Sequence, residues 1–322
     1  MNDGASTGTS YPWGHSRPFN DLAGYLKKIF GTRVQKLSVD AGFTCPNRDG
    51  TVGTGGCTFC NNRSFTPAYC SPYHTVADQL KRGMAFFSAK YADNQYLAYF
   101  QSYTNTYGPL ERLIQVYDEA LSVPGIIGLV IGTRPDCLPE PVLDYLQELA
   151  GTCYVSLELG IESTLDRTLA RVNRGHSFQD TVTAFRLAAK RNLHTGGHLI
   201  LGLPGETRSD MLGHALAINQ LPINMIKIHQ LQIIRGTPLA DQYQEHPDDF
   251  LQFTAEEYID LVISFLELLD PYIIVERYAS VSSPGLLTGS RWGLKNYQLV
   301  TLIEREMVRR GTWQGRLFTP QA

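Results

Sequence analysis

The amino-acid sequence predicts an α/β protein, a partial (β/α)6 barrel of TIM type with a C-terminal extension of helix and strand. Three observations lead there. Short, almost continuous apolar runs recur along the chain, the texture of parallel strands covered on both faces. Longer segments with helical periodicity separate them. Polar, glycine-rich stretches follow the apolar runs, where such folds carry their reactive loops. A doubly wound open sheet is the competing topology.

The strands are expected at "VQKLSV" (34–39), "YLAYFQ" (96–101), "IIGLVIG" (126–132), "YVSLELG" (154–160), "GHLILGL" (197–203) and "IKIHQLQII" (226–234). Helices are expected at about 75–91, 109–122, 139–150, 177–191, 207–220 and 255–269. Pro109, Pro139 and Pro141 fall in first turns, and Ser177 and Thr254 suit N-caps. Beyond 270, "YIIVERYA" is a candidate further strand and "NYQLVTLIEREMVRR" (296–310) reads as an amphipathic helix. The division expected is a flexible tail over 1–20, a barrel core over 21–240 and an extension over 241–322 packed on the core.

The chain has 322 residues, 43% of them hydrophobic and 18% charged, ample material for a core. No apolar run reaches the roughly 18 residues of a membrane span. The N-terminus "MNDGASTGTSYPWGHSRP" lacks both a basic and an apolar export region. A cytoplasmic protein with no membrane partner is expected. A net charge of -3 does not call for nucleic acid, yet leaves room for a local basic patch. Arg167, Arg171, Arg174 and His176, with Arg186, Lys190 and Arg191 on the next helix, are either such a patch or a solvated face.

The chemistry concentrates in "CPNRDGTVGTGGCTFC" (45–60), where Cys45, Cys57 and Cys60 sit among glycines on a loop after the first strand. Thiolates suit zinc or an iron–sulfur cluster. With Cys70 the set closes as a four-thiolate zinc site. With three it leaves a [4Fe–4S] cluster one open iron. A redox CxxC is a third reading, though it does not need Cys45. A loop at the catalytic rim favours a reactive site over a closed structural one. The remaining cysteines, Cys137 and Cys153, are scattered and read as small buried hydrophobes.

Seven stretches together carry a specific resemblance: "GFTCPNRDGTVGTGGCTFCNN" (42–62), "YFQSYTNTY" (99–107), "GTRPDCLP" (132–139), "LELGIES" (157–163), "NRGH" (173–176), "HLILGLPGE" (198–206) and "KIHQLQIIRGTPL" (227–239). The chain resembles radical S-adenosylmethionine (SAM) enzymes of the YhcC/YtqA type, relatives of the radical domain of the elongator catalytic subunit. The resemblance spans about residues 20–240 and is weaker beyond 270. It implies that Cys45, Cys57 and Cys60 hold a [4Fe–4S] cluster whose free iron chelates SAM. It also implies reductive cleavage of SAM to methionine and a 5′-deoxyadenosyl radical. The loop from Gln101 through Ser102 to Thr104 is then expected at the SAM amino group, and Glu158 at the ribose hydroxyls. Gly202 and Gly205 are expected near the adenine. For Glu158 the alternative is a rim carboxylate paired with Arg167 or Arg171; for Glu206 it is a cap on the next helix.

Arg134 and Asp136 either meet substrate or SAM, or pair with each other. His198 and His229 point into the barrel, as satisfied interior histidines or substrate contacts. Tyr103 and Tyr107 are rim aromatics, packed there, relaying a hydrogen atom or stacking on a base. The resemblance implies one cluster per chain, SAM, an electron donor of flavodoxin or ferredoxin type, and a modified wobble uridine of transfer RNA as substrate. A radical enzyme acting on a small metabolite or protein is the first alternative. A non-catalytic zinc or iron–sulfur scaffold is the second.

Overall fold

The structure is a computed structural model that describes residues 11–88, 95–280, 284–289 and 292–320. Helix α1 (Leu22–Phe30) leads into β1 (Val34–Val39). Then come α2 (Val76–Ser88), β2 (Gln95–Phe100), α3 (Leu110–Leu121), β3 (Ile126–Thr133), α4 (Glu140–Ala150) and β4 (Tyr154–Glu162). Two helices, α5 (Asp166–Arg171) and α6 (Phe178–Ala189), precede β5 (His194–Leu201). After α7 (Arg208–Ile218) and β6 (Met225–Gln230), α8 (Pro238–Glu245) and α9 (Ala255–Leu268) lead to β7 (Ile274–Arg277), and α10 (Asn296–Arg310) follows.

The strands form one seven-stranded sheet in the order β1-β2-β3-β4-β5-β6-β7, every neighbouring pair parallel. The expected six strands are present and "YIIVERYA" supplies the seventh. That strand lies beyond residue 240 yet pairs with β6, so the extension completes the sheet. The sheet curls far enough that Lys36 Nζ on β1 comes within 2.6 Å of Glu276 Oε2 on β7. This is a partial barrel, and a flat open sheet is ruled out by that contact.

Alternation along the strands builds two interiors. Leu37, Val39, Phe100, Ile131, Leu157, Leu159, Leu199, Leu201 and Ile228 pack outward with the helices in the main core. Their neighbours Lys36, Glu158, His198 and Lys227 face inward. Capping matches expectation where the cap is local: Ser177 and Thr254 each form a capping box, with Asp180 and Glu257. Before α7 the cap is Thr207 with Asp210, so Glu206 does not take that place. It is buried, accepting from Ser163 Oγ at 2.6 Å and facing His214 Nε2 at 3.2 Å.

Residues 1–10 of the expected tail, and 89–91 of the helix expected over 75–91, lie outside the described residues. Residues 11–20 are packed rather than loose. Phe19 is fully buried, and the Asn20 carbonyl accepts from Val275 N at 2.7 Å beside β7. Among the described residues no helix is long and apolar enough to cross a membrane.

Candidate active site

The loop after β1 is folded by its own backbone and then tied to the far side of the barrel mouth. Val52 N donates to Pro46 O at 2.8 Å and Gly56 N to Asn47 O at 2.8 Å, which closes the glycine-rich coil. Thr58 N donates to Val172 O at 3.0 Å. Asn47, fully buried, donates from Nδ2 to Asn173 O at 2.6 Å. Asn173 Nδ2 in turn donates to Gly56 O at 2.8 Å. Two glycines make room for Asn47. A Cβ on Gly53 would collide with its side chain, and one on Gly175, at φ 76°, would stand 2.9 Å from Asn47 Oδ1. The "NRGH" stretch therefore holds the cysteine loop in place.

Cys45, Cys57 and Cys60 line one cavity of about 250 Å³ at the C-terminal ends of the strands. Burial, followed by the neighbouring Cys57 sulfur, pushes the Cys60 thiol up to about 11. Among the described residues no three His, Cys, Asp or Glu side chains close around a single-ion position. Cys70 is turned away and donates to Ser38 O at 2.8 Å. Three soft sulfurs converging on one cavity, with the fourth engaged elsewhere, fit an iron–sulfur cluster with an open iron. Arg174, buried beside them, donates from Nη1 to Cys57 Sγ at 3.5 Å. When bound, such a cluster supplies one electron for reductive chemistry on a ligand at its open corner.

Of the expected SAM contacts, Gln101, Thr104 and Glu158 line this cavity. Ser102 is buried beneath the same loop. Gly202 and Gly205 stand apart from it. Gly202 lines a second, more apolar cavity of about 350 Å³ with Leu231, Phe253 and Trp292, and Gly205 N donates to Asp249 O at 3.0 Å.

Glu158 sits at the centre of an interior charge network. Its Oε2 lies 3.2 Å from Lys227 Nζ and 2.6 Å from His198 Nε2, and its Oε1 lies 2.5 Å from Lys36 Nζ. Lys227 also meets Glu276 at 3.1 Å and Tyr99 Oη at 3.0 Å. Burial works against the Glu158 carboxylate, yet Lys227, Lys36 and His198 together hold it well below the usual range. Burial pulls Lys227 down, partly offset by Glu158 and Glu276; for Lys36 the same carboxylates outweigh burial and raise it. The pairing of Glu158 with Arg167 or Arg171 does not occur, since these bind Asp210 and Asp249.

His198 and His229 both line the cavity, 5.4 Å apart by ring centroid. His229 Nδ1 meets Ser280 Oγ, while its Nε2 has no partner. Burial, then His198, holds His229 well below its ordinary value, so it is neutral. Arg134 pairs with Asp136 through two bonds of 2.9 Å. Tyr103 is exposed at the mouth with Arg48 over its ring at 5.6 Å, while Tyr107 Oη contacts Thr51 Oγ1 at 2.8 Å. Of the two readings of the basic cluster, a free patch is not what these residues form. Arg167, Arg171 and Arg191 are ion-paired, Arg174 is buried, and burial lowers His176 to about 4.

Sequence reasoning missed Lys36, Lys227, Glu276 and Asn47. The available signal was a lysine within each of two strands of a sheet covered on both faces, where it requires a buried partner.

Two family models match, the radical SAM superfamily over residues 48–218 and the radical SAM C-terminal domain over 223–309. The chain is 35% identical to the uncharacterised protein YtqA of Bacillus subtilis, over 96% of this chain and 95% of that one. It is 28% identical to the tRNA uridine(34) acetyltransferase of Methanocaldococcus infernus, over 58% of this chain but only 34% of that one. Among solved structures it resembles an N-terminally deleted Elp3 of Methanocaldococcus infernus, with a TM-score of 0.66 and 19% identity, covering 87% of this chain and 64% of that one. The motif, the cavity and these matches agree, and the chain belongs to the radical SAM superfamily.

Proposed function

We propose that this chain uses a [4Fe–4S] cluster on Cys45, Cys57 and Cys60 to cleave SAM and abstract hydrogen from a modified wobble uridine of transfer RNA. The observation that carries the radical chemistry is the convergence of those three thiols on one cavity at the strand ends. Bound there, cluster and SAM together supply the 5′-deoxyadenosyl radical. The chain's own part is to enclose and orient. Gln101, Thr104 and Arg134, the last fixed by Asp136, line the cavity where SAM would lie. Glu158, with both oxygens taken by Lys36, Lys227 and His198, keeps a charge-paired floor and has no free edge for the ribose contact expected of it.

The uridine substrate is supported by the partial likeness to a tRNA uridine(34) acetyltransferase. Exposed Tyr103 and Phe65 at the cavity mouth offer faces on which an unstacked base can rest. A small-molecule substrate is the second reading, favoured by the ion-paired state of Arg167, Arg171 and Arg191. An electron carrier of flavodoxin or ferredoxin type and a reducing cytoplasm suit six unpaired cysteines.

Anaerobic reconstitution with iron, sulfide, SAM and dithionite tests the chemistry. 5′-Deoxyadenosine is expected from the parent and none from Cys57→Ala. Undiminished product from that variant overturns the assignment. Salt-dependent binding to transfer RNA and a changed nucleoside profile in cells lacking the protein separate the two substrates.

A further inference from the structure

Arg174 is a buried guanidinium aimed at a cluster thiolate, and the function so far leaves it unused. Its Nη1 lies 3.5 Å from Cys57 Sγ, and its Nη2 donates to Gly160 O at 2.8 Å. Glu162 Oε1 stands 3.6 Å from the same Nη2. The main chain of Arg174 is held as well. Its carbonyl accepts from Arg134 Nη1 at 2.9 Å, and Arg134 is itself clamped by Asp136. A Cβ added at Gly160 would strike the Arg174 guanidinium at 2.5 Å, so the backbone there is stripped to admit it.

A guanidinium stays protonated even when buried, and Glu162 stands beside this one. A buried positive charge beside one sulfur acts through a low dielectric and is little screened. Adding an electron to a [4Fe–4S]2+ cluster makes it one charge more negative, with no bond made and no proton taken up. A fixed cation beside its thiolate favours that reduced state.

We propose that Arg174 is a positioning residue that raises the reduction potential of the cluster through its hydrogen bond to Cys57, with Glu162 tempering the effect. The electron comes from a one-electron carrier of the flavodoxin or ferredoxin class. The inference rests on the cluster assignment above and goes beyond it, since that assignment needs only the three cysteines.

The test is a redox titration of the reconstituted full chain, followed by electron paramagnetic resonance of the reduced cluster without SAM. Arg174→Gln is expected to make reduction at least tenfold harder at a given poise, about 59 mV for one electron. Arg174→Lys keeps the charge and is expected to stay nearer the parent. Glu162→Gln is expected to shift the potential the other way. An unchanged potential in Arg174→Gln, or an equal fall in Arg174→Lys, overturns the proposal. If Arg174→Gln does not take up iron, Glu162→Gln decides, and no rise there overturns it too. A parent chain that binds zinc and no iron–sulfur cluster defeats the functional reading itself, a distinct result.

Discussion

Lys227 Nζ on β6 stands 3.2 Å from Glu158 Oε2 on β4, and both side chains are almost wholly buried. Lys36 completes the arrangement from β1, so one carboxylate binds two ammonium groups from strands far apart in the sheet order, and both lysines also meet Glu276 on β7. Removing one member of such a set leaves uncompensated charge in the interior. Glu158→Gln is expected to cost about 3–5 kcal/mol, measured by urea unfolding. Adding Lys227→Met to that variant recovers part of the loss. A loss below about 1 kcal/mol contradicts a dry network.

The four-thiolate alternative is decided by Cys70. Burial, and secondarily Asp40, pushes its thiol up to about 12, and it already donates to Ser38 O. Cys70→Ala is expected to retain full iron and sulfide per chain after reconstitution. Cys60→Ala is expected to lose the cluster. Equal loss in both places Cys70 among the ligands.

Asn47 couples the cysteine loop to the stretch after α5. Asn47→Ala frees the Asn173 carbonyl and takes one of two donors from the Arg174 carbonyl, and is expected to cost about 1–3 kcal/mol and to speed iron loss on chelation. Gly175→Ala costs a comparable amount through its left-handed backbone and its clash with Asn47. The double variant is expected to lose less than the sum, because truncating Asn47 removes the clash.

The lower barrel gives a pH dependence. Burial, and then Lys36, lowers His194 from 6.5 to about 4; its ring stacks on Tyr25 and its Nδ1 meets Ser156 Oγ. Between those pH values the unfolded chain binds a proton that the folded chain refuses. Stability from this group is full above about pH 6.5 and falls as pH drops toward 4, by roughly 1.4 kcal/mol per unit. His194→Gln is expected to flatten that part of the stability–pH curve. A slope identical to the parent's contradicts the assignment.

Much of this was legible in the sequence because the outward face of each strand, packed against helices, is almost wholly apolar. β1 coincides with the expected 34–39, and the next four strands shift by three residues at most. In β6 the apolar run continued to 234 but the strand ends at Gln230, where Leu231 and Ile233 turn to pack on α8 and its neighbours. The helices α1, α5 and α8 were unread. α5 has six residues, too few for a period to emerge, while Asp21 before α1 and Thr237-Pro238 at α8 were caps that could have been noticed. At the site, cysteines announce themselves by type. Arg174 was seen only as one charge among several, because its orientation depends on contacts made across 117 residues.

The strands adjoin in the order in which they occur in the chain, and this has a consequence for assembly. Each newly formed strand finds its neighbour already made, so the sheet can grow during synthesis from one margin without waiting for distant segments. One stitch that breaks this rule is Val275 N to Asn20 O, which joins the last strand to a segment more than 250 positions upstream. Pulse-labelled exchange during refolding is expected to find the Val275 amide among the last to gain protection, with those of β3 and β4 ahead of it.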